Sequence, residues 1–185
     1  KVGIVRPTFE EYPNRLKPEQ IVTYQAQCPN FSYSADDLMT YFADKDIESL
    51  LLINPDNPTG NYIPYTDCLR LADWCQQRNI LFVLDESFID FSVEHPTFFK
   101  DDILEQYSNL VVIKSISKSY GVPSLRLGIL ATSNVDIMTV IRRSVSIWNI
   151  NSLAEFFLQI LGENEASYLQ AMEELRAERA RFVAE

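Results

Sequence analysis

Residues 50–60 read LLLINPDNPTG and residues 80–88 read ILFVLDESF. Each begins with a short continuous apolar run, Leu50 to Ile53 and Ile80 to Leu84, and each run ends abruptly in polar residues. Runs of this length without alternation are the pattern of buried strands in a parallel sheet. Between them Cys68, Leu71, Ala72 and Cys75 recur at helical spacing and mark one apolar helix face. Similar runs occur at Val2 to Val5, Ile21 to Tyr24, Leu110 to Ile113 and Leu127 to Ala131, and Ser34 with Asp37 forms a capping-box pattern ahead of another helix. Strand and helix alternate. The predicted fold class is therefore α/β, a mostly parallel sheet with helices on both faces. From Val135 onward the pattern is helical only, broken near Gly162, and Glu163 to Glu185 should form a long, partly exposed helix leaving the sheet domain. The expected organisation is a sheet domain over 1–135 and a helical segment over 136–185.

Composition limits the function classes. With 185 residues, 46% hydrophobic and 23% charged, the chain can bury a substantial core, which excludes disorder. Sixteen basic against 26 acidic residues give a net charge of −10, which repels a polyphosphate backbone and argues against nucleic-acid binding. No apolar run approaches the roughly 18 residues of a membrane helix, and no secretory signal pattern opens the chain, so a soluble cytoplasmic protein is expected. The three cysteines, Cys28, Cys68 and Cys75, have no CxxC or zinc spacing and are expected to be reduced and structural. His95 is the only histidine, which makes His-based triads and polyhistidine metal sites improbable. The chain starts at Lys1 within a strand-like run and stops within a helical pattern, and is expected to be cut from something longer.

In an open α/β sheet ligands bind beyond the carboxyl ends of the strands. The residues at those positions are Pro7-Thr8-Phe9 after the first run, Asn54 to Gly60 after the third, Asp85-Glu86-Ser87-Phe88 after the fourth and Ser115-Ile116-Ser117-Lys118 after the fifth. Each has an ordinary explanation. Asn57 lies in a turn-forming stretch, Asp85 is placed equally well for a helix cap or a functional carboxylate, Lys118 lies in a polar stretch typical of solvated loops, and Arg126 suits a surface ion pair. The five glycines fit neither GxGxxG nor GxxxxGK[ST].

Their joint order is more specific. Asn57-Pro58-Thr59-Gly60, Asp85 28 residues after Asn57, and Ser115-x-Ser117-Lys118 with Arg126 eight residues after the lysine resemble the fold type I pyridoxal-phosphate enzymes, closest to class I and II aminotransferases. NPDNPTG, DESFIDF, SISKSYG and LRLG resemble the histidinol-phosphate aminotransferase subgroup in particular. The likeness runs from Pro7 to about Ala154. It implies pyridoxal 5'-phosphate as cofactor, an amino donor and a keto acid as substrates, and a homodimer. It also implies a strand order 2-1-3-4-5-6 with the last strand antiparallel. By the same resemblance Lys118 forms the covalent link to the cofactor aldehyde and moves the substrate α-proton, while Asp85 pairs with the pyridine nitrogen. Asn57 donates to the ring's phenolic oxygen, Phe9 stacks on one ring face with Ser87 near the other, and Ser115, Ser117 and Arg126 hold the phosphate.

Two departures qualify the resemblance. Most such aminotransferases have tyrosine where this chain has Phe88, so one hydrogen bond to the phenolic oxygen is lost. Phe88 in this context, and the stretch from Arg142-Arg143 through Trp148, Asn149, Asn151 and Leu153, resemble the threonine-phosphate decarboxylase branch. The expected activity is transamination of an amino acid or amine bearing a phosphate-like group, with decarboxylation of an O-phosphorylated amino acid, or a non-catalytic domain, as alternatives. The family's first phosphate loop and its arginine for the substrate carboxylate have no counterpart among these residues.

Overall fold

A computed structural model describes residues 1–92 and 96–184. His95 lies outside the described residues. Six strands, β1 (Val2–Arg6), β2 (Ile21–Gln25), β3 (Ser49–Ile53), β4 (Leu81–Asp85), β5 (Leu110–Ser115) and β6 (Gly128–Ala131), form one sheet in the order β2-β1-β3-β4-β5-β6. All pairings are parallel except β5 with β6. Order and direction match the expectation, and strand limits differ by a residue or two. The order reverses at β1, whose neighbours are β2 and β3, and this makes a crevice at the strands' carboxyl ends. The ladder between β1 and β3 has two register pairs, against five between β3 and β4, so these strands part soon after Gly3 and Leu50.

The helices among the described residues are α1 (Glu11–Asn14), α2 (Ala35–Phe42), α3 (Tyr65–Gln77), α4 (Asp101–Gln106), α5 (Ile116–Ser119), α6 (Val135–Ser144), α7 (Ser152–Leu161) and α8 (Glu165–Ala184). Ser34 and Asp37 cap α2 reciprocally, with Ser34 N donating to Asp37 Oδ2 at 2.8 Å and Asp37 N to Ser34 Oγ at 3.2 Å. The main core packs Leu38 and Phe42 of α2, the Cys68, Leu71, Ala72 and Cys75 face of α3, and Ile103 of α4 onto Leu50, Leu52, Phe82, Leu84, Leu110 and Val112. The intervening Leu51, Val83 and Ile113 are half-buried, so the two sheet faces are unequally covered. A smaller cluster of Ile116, Leu127 and Ala154, flanked by Tyr120 and Phe157, joins α5 to α7.

One expectation is corrected. Cys68 and Cys75 are buried, and burial pushes the Cys75 thiol up to about 12, but Cys28 is exposed and supports no core. The last helix is long and partly exposed, as expected, and it makes contacts with the sheet domain along its length. Tyr168 Oη donates to Asp90 Oδ2 at 3.1 Å, Arg176 Nη1 to the Asp90 carbonyl at 2.9 Å and Arg179 Nη1 to the Phe91 carbonyl at 2.6 Å. These donors tie α8 to the segment following β4. Among the described residues no helix is long and apolar enough to cross a membrane.

Helix α2 packs tightly on the sheet at Gly3, where an added Cβ would lie 2.9 Å from Phe42 Cε1. Gly3→Ala should therefore destabilise the fold by about 1–3 kcal/mol, and Phe42→Leu in the same chain should recover part of that loss. Urea unfolding midpoints of the two variants check both outcomes.

Candidate active site

The sheet order brings the nine predicted site residues to one cleft of about 440 Å³. Phe9 comes from beyond β1, Asn57 from beyond β3, and Asp85, Ser87 and Phe88 from the end of β4. Ser115, Ser117 and Lys118 come from the end of β5 and α5, and Arg126 from the turn before β6. Asp85 and Lys118 thus share one cleft.

Asp85 is buried at the end of β4, and no α-helix starts there for it to cap. Its Oδ1 accepts from Ser87 N at 2.8 Å and from Ser87 Oγ at 2.5 Å, and its Oδ2 accepts from the Tyr12 hydroxyl. Ser87 Oγ in turn accepts from Ser115 N at 2.9 Å, so the Ser87 hydroxyl is engaged in fixing Asp85 to β5. Burial, together with the adjacent Asp85 charge, pushes the Tyr12 hydroxyl well above its usual range, and it stays protonated as a donor. Sequence reasoning missed Tyr12. The available signal was its spacing of three from Phe9, which sets both rings on one side of a short helical turn; their centroids are 6.0 Å apart, edge to face.

The loop carrying Asn57 is held from within. Asn54 donates its backbone N–H to the Asp85 carbonyl at 2.9 Å, and its side-chain amide closes two 2.9 Å bonds with the backbone of Ile63. Asp56 accepts from the Thr59 hydroxyl and closes the tip. Asn54 and Asp56 are therefore the structural members of NPDNPTG, and Asn57 is left half-buried at the cleft with no side-chain hydrogen bond among the described residues.

Lys118 lies on the single turn of α5 and is exposed, with Nζ 6.0 Å from the Phe88 ring centroid and no ion pair or hydrogen bond among the described residues. Lys114, also in the cleft wall, differs. Its Nζ pairs with Asp90 Oδ1 at 2.7 Å, with both side chains largely buried. Burial alone would raise the Asp90 carboxyl, but the hydrogen bond and charge of Lys114 outweigh it and hold Asp90 below the usual carboxylate range. Arg126 forms no ion pair among the described residues. It has φ 58°, a left-handed backbone that a non-glycine residue rarely adopts, and donates one Nη1 bond to the Pro123 carbonyl at 3.1 Å. The rest of its donor fork is uncommitted.

This donor set fits pyridoxal phosphate: an amine without a partner for the aldehyde, a fixed buried carboxylate for the ring nitrogen, and a 47% exposed aromatic ring at Phe9 for the ring face. Ser115, Ser117 and Arg126 add two hydroxyls and a guanidinium for the phosphate. Among the described residues no group of three His, Cys, Asp or Glu is placed to hold a metal.

The model of the family described as aminotransferase class I and II matches residues 1–185. The chain belongs to that family. Its cofactor is pyridoxal phosphate. Curated members include the threonine-phosphate decarboxylase of Salmonella typhimurium, 33% identical over 97% of this chain and 49% of its own length. The CMP-5'-(3-aminopropyl)phosphonate synthase of Streptomyces rubellomurinus is also 33% identical, over 92% of this chain and 27% of its own length. The chain thus spans between about a quarter and a half of these relatives. Among solved structures a decarboxylase from Sulfurospirillum multivorans superposes with a TM-score of 0.84 at 24% identity, over 98% of this chain and 52% of that one. The histidinol-phosphate aminotransferase of Clostridium acetobutylicum superposes at 0.83 and 24%, over 99% and 54%. Both share the fold.

Beside Asp85, Glu86 points the opposite way, accepting from Thr97 Oγ1 at 2.5 Å and Phe98 N at 2.8 Å. Burial raises its carboxyl above the ordinary 4.5, so the folded chain binds this proton more tightly than the unfolded one. The stability this group contributes is complete below that ordinary value and is lost as pH rises through it toward the folded value. Glu86→Gln should remove this loss and gain on the parent between pH 4.5 and pH 8, as read by urea unfolding at both pH values.

Proposed function

We propose that this chain forms the cofactor-binding part of a pyridoxal-phosphate enzyme that acts at the α-carbon of an amino acid bearing a phosphate-like group. The observation that carries this reading is the apposition, in one cleft, of the buried Asp85 carboxylate and the unpartnered Lys118 amine. An interaction module has no need of that pair together with Arg126. A phosphorus oxyanion recurs in the names of the relatives, which include phosphoserine and phosphothreonine decarboxylases, histidinol-phosphate aminotransferases and an aminopropylphosphonate synthase.

When bound, pyridoxal phosphate supplies an electron sink for the pair left at the substrate α-carbon. In this reading Asp85 holds the ring nitrogen, Asn57 donates to the phenolic oxygen, and Phe9 covers a ring face. Phe88 lines the cleft without the hydroxyl that a tyrosine would add. Ser115, Ser117 and Arg126 take the phosphate, Arg126 through its charged fork. Lys118 provides the covalent attachment and then works as an acid or base at the α-carbon, returning a proton there after carbon dioxide leaves, or removing one in transamination. Of the two reactions, decarboxylation is favoured here. Phe88 in place of tyrosine supports it, and decarboxylases of phosphorylated serine or threonine from Campylobacter jejuni, Salmonella typhimurium and Sulfurospirillum multivorans are among the relatives, at 28–33% identity. Transamination is the second reading. The exposed Ile147, Trp148, Leu153 and Phe156 fit a homodimer, whose partner subunit would cover them.

Two outcomes are expected of the full-length protein. Reduction with borohydride followed by peptide mass analysis should place the cofactor on Lys118; Lys118→Ala should lose the label and nearly all turnover. Lys114→Ala should keep the label while losing stability with its Asp90 partner. Incubation with phosphoserine or phosphothreonine should release carbon dioxide and an amine without converting the cofactor to its amine form. Conversion reversed by a keto acid would instead establish transamination.

A further inference from the structure

Tyr12 enters the cleft from α1, and its hydroxyl reaches a carboxylate 73 residues away in sequence. A carboxylate has about four acceptor positions, two on each oxygen. At Asp85 both positions of Oδ1 are filled by Ser87, through N at 2.8 Å and Oγ at 2.5 Å, and Tyr12 fills one position of Oδ2. The remaining acceptor capacity of this buried group therefore lies on Oδ2. We propose that Tyr12 is a positioning residue for the cofactor: its hydroxyl fixes Oδ2 of Asp85 as the oxygen that receives the pyridine nitrogen.

The division of work at Asp85 supports this role. Ser87 comes from the same strand end and would hold Oδ1 whatever the second oxygen did. Among the described residues Tyr12 alone ties Oδ2 to the β1 side of the crevice, where the edge-to-face contact with Phe9 fixes its ring. The segment after β1 thus contributes twice to the same ligand, through the ring face at Phe9 and through the ring nitrogen by way of Tyr12. The phenol remains a donor because burial and the Asp85 charge both oppose its ionisation.

The inference rests on the assignment of Asp85 to the ring nitrogen, and the experiment separates the two. Binding of pyridoxal phosphate, and of an analogue with carbon in place of the ring nitrogen, is measured by visible absorbance on the full-length protein carrying Tyr12→Phe, Asp85→Ala or both. Tyr12→Phe should weaken pyridoxal phosphate by about 5-fold, the equivalent of roughly one hydrogen bond, and leave the analogue within about twofold of the parent. The double variant should bind no more weakly than Asp85→Ala alone. Equal losses of both ligands in Tyr12→Phe, or no loss of either, overturn the role of Tyr12. Equal losses of both ligands in Asp85→Ala overturn the assignment of Asp85 itself. As a second substitution that preserves the side chain's shape, 3-fluorotyrosine at position 12 is a stronger donor. It should move the ¹⁵N resonance of the bound ring nitrogen opposite to the shift in Tyr12→Phe; unmoved resonances in both also overturn the proposal.

Discussion

The site depends on one buried carboxylate held from three directions. Asp85 takes the Ser87 amide and hydroxyl on one oxygen and the Tyr12 hydroxyl on the other, and the same Ser87 hydroxyl is clamped by the amide of Ser115. A charge removed from water is costly unless donors replace the lost hydration. Here the direct donors come from beyond β1 and from the end of β4, and Ser115 of β5 braces the Ser87 hydroxyl, so holding the carboxylate also ties three strand ends together. The polar interaction that prepares the chemistry is the one that shapes the cleft.

Room for that cleft comes from the sheet. The two register pairs between β1 and β3 leave their carboxyl ends apart at the point where strand order reverses, and Phe9, Tyr12, Ile53 and Asn57 line the cleft there. The long loop after β3 could have filled it. Instead Asn54 draws that loop onto Ile63, and Asp56 closes on Thr59, so the backbone folds back and a single amide side chain, Asn57, remains at the opening.

What was legible in the sequence follows from which interactions leave a local trace. Continuous apolar runs and the Cys68, Leu71, Ala72, Cys75 face are one-dimensional records of burial, and the sheet and α3 match them. The nine residues that meet in the cleft were legible as spaced motifs at strand ends. Tyr12 was not, because its partner Asp85 is 73 residues away and its spacing from Phe9 marks a shared helical side without marking the hydrogen bond. Ser87 lines the same cleft, but the bridge its hydroxyl makes between Asp85 and Ser115 leaves no trace in the sequence. The docking of α8 was hidden for a similar reason: Arg176 and Arg179 bind backbone carbonyls of Asp90 and Phe91, and a carbonyl carries no residue-specific signature.

The ion pair between Lys114 and Asp90 has a consequence for reactivity. An aldehyde entering this cleft meets two primary amines four residues apart, Lys114 on β5 and Lys118 on α5. The Lys114 Nζ is engaged by a largely buried carboxylate 2.7 Å away, which Tyr168 steadies from α8. The fold has in effect tied up one of the two amines, as a chemist would with a protecting group, and left Lys118 without a hydrogen bond or ion pair among the described residues.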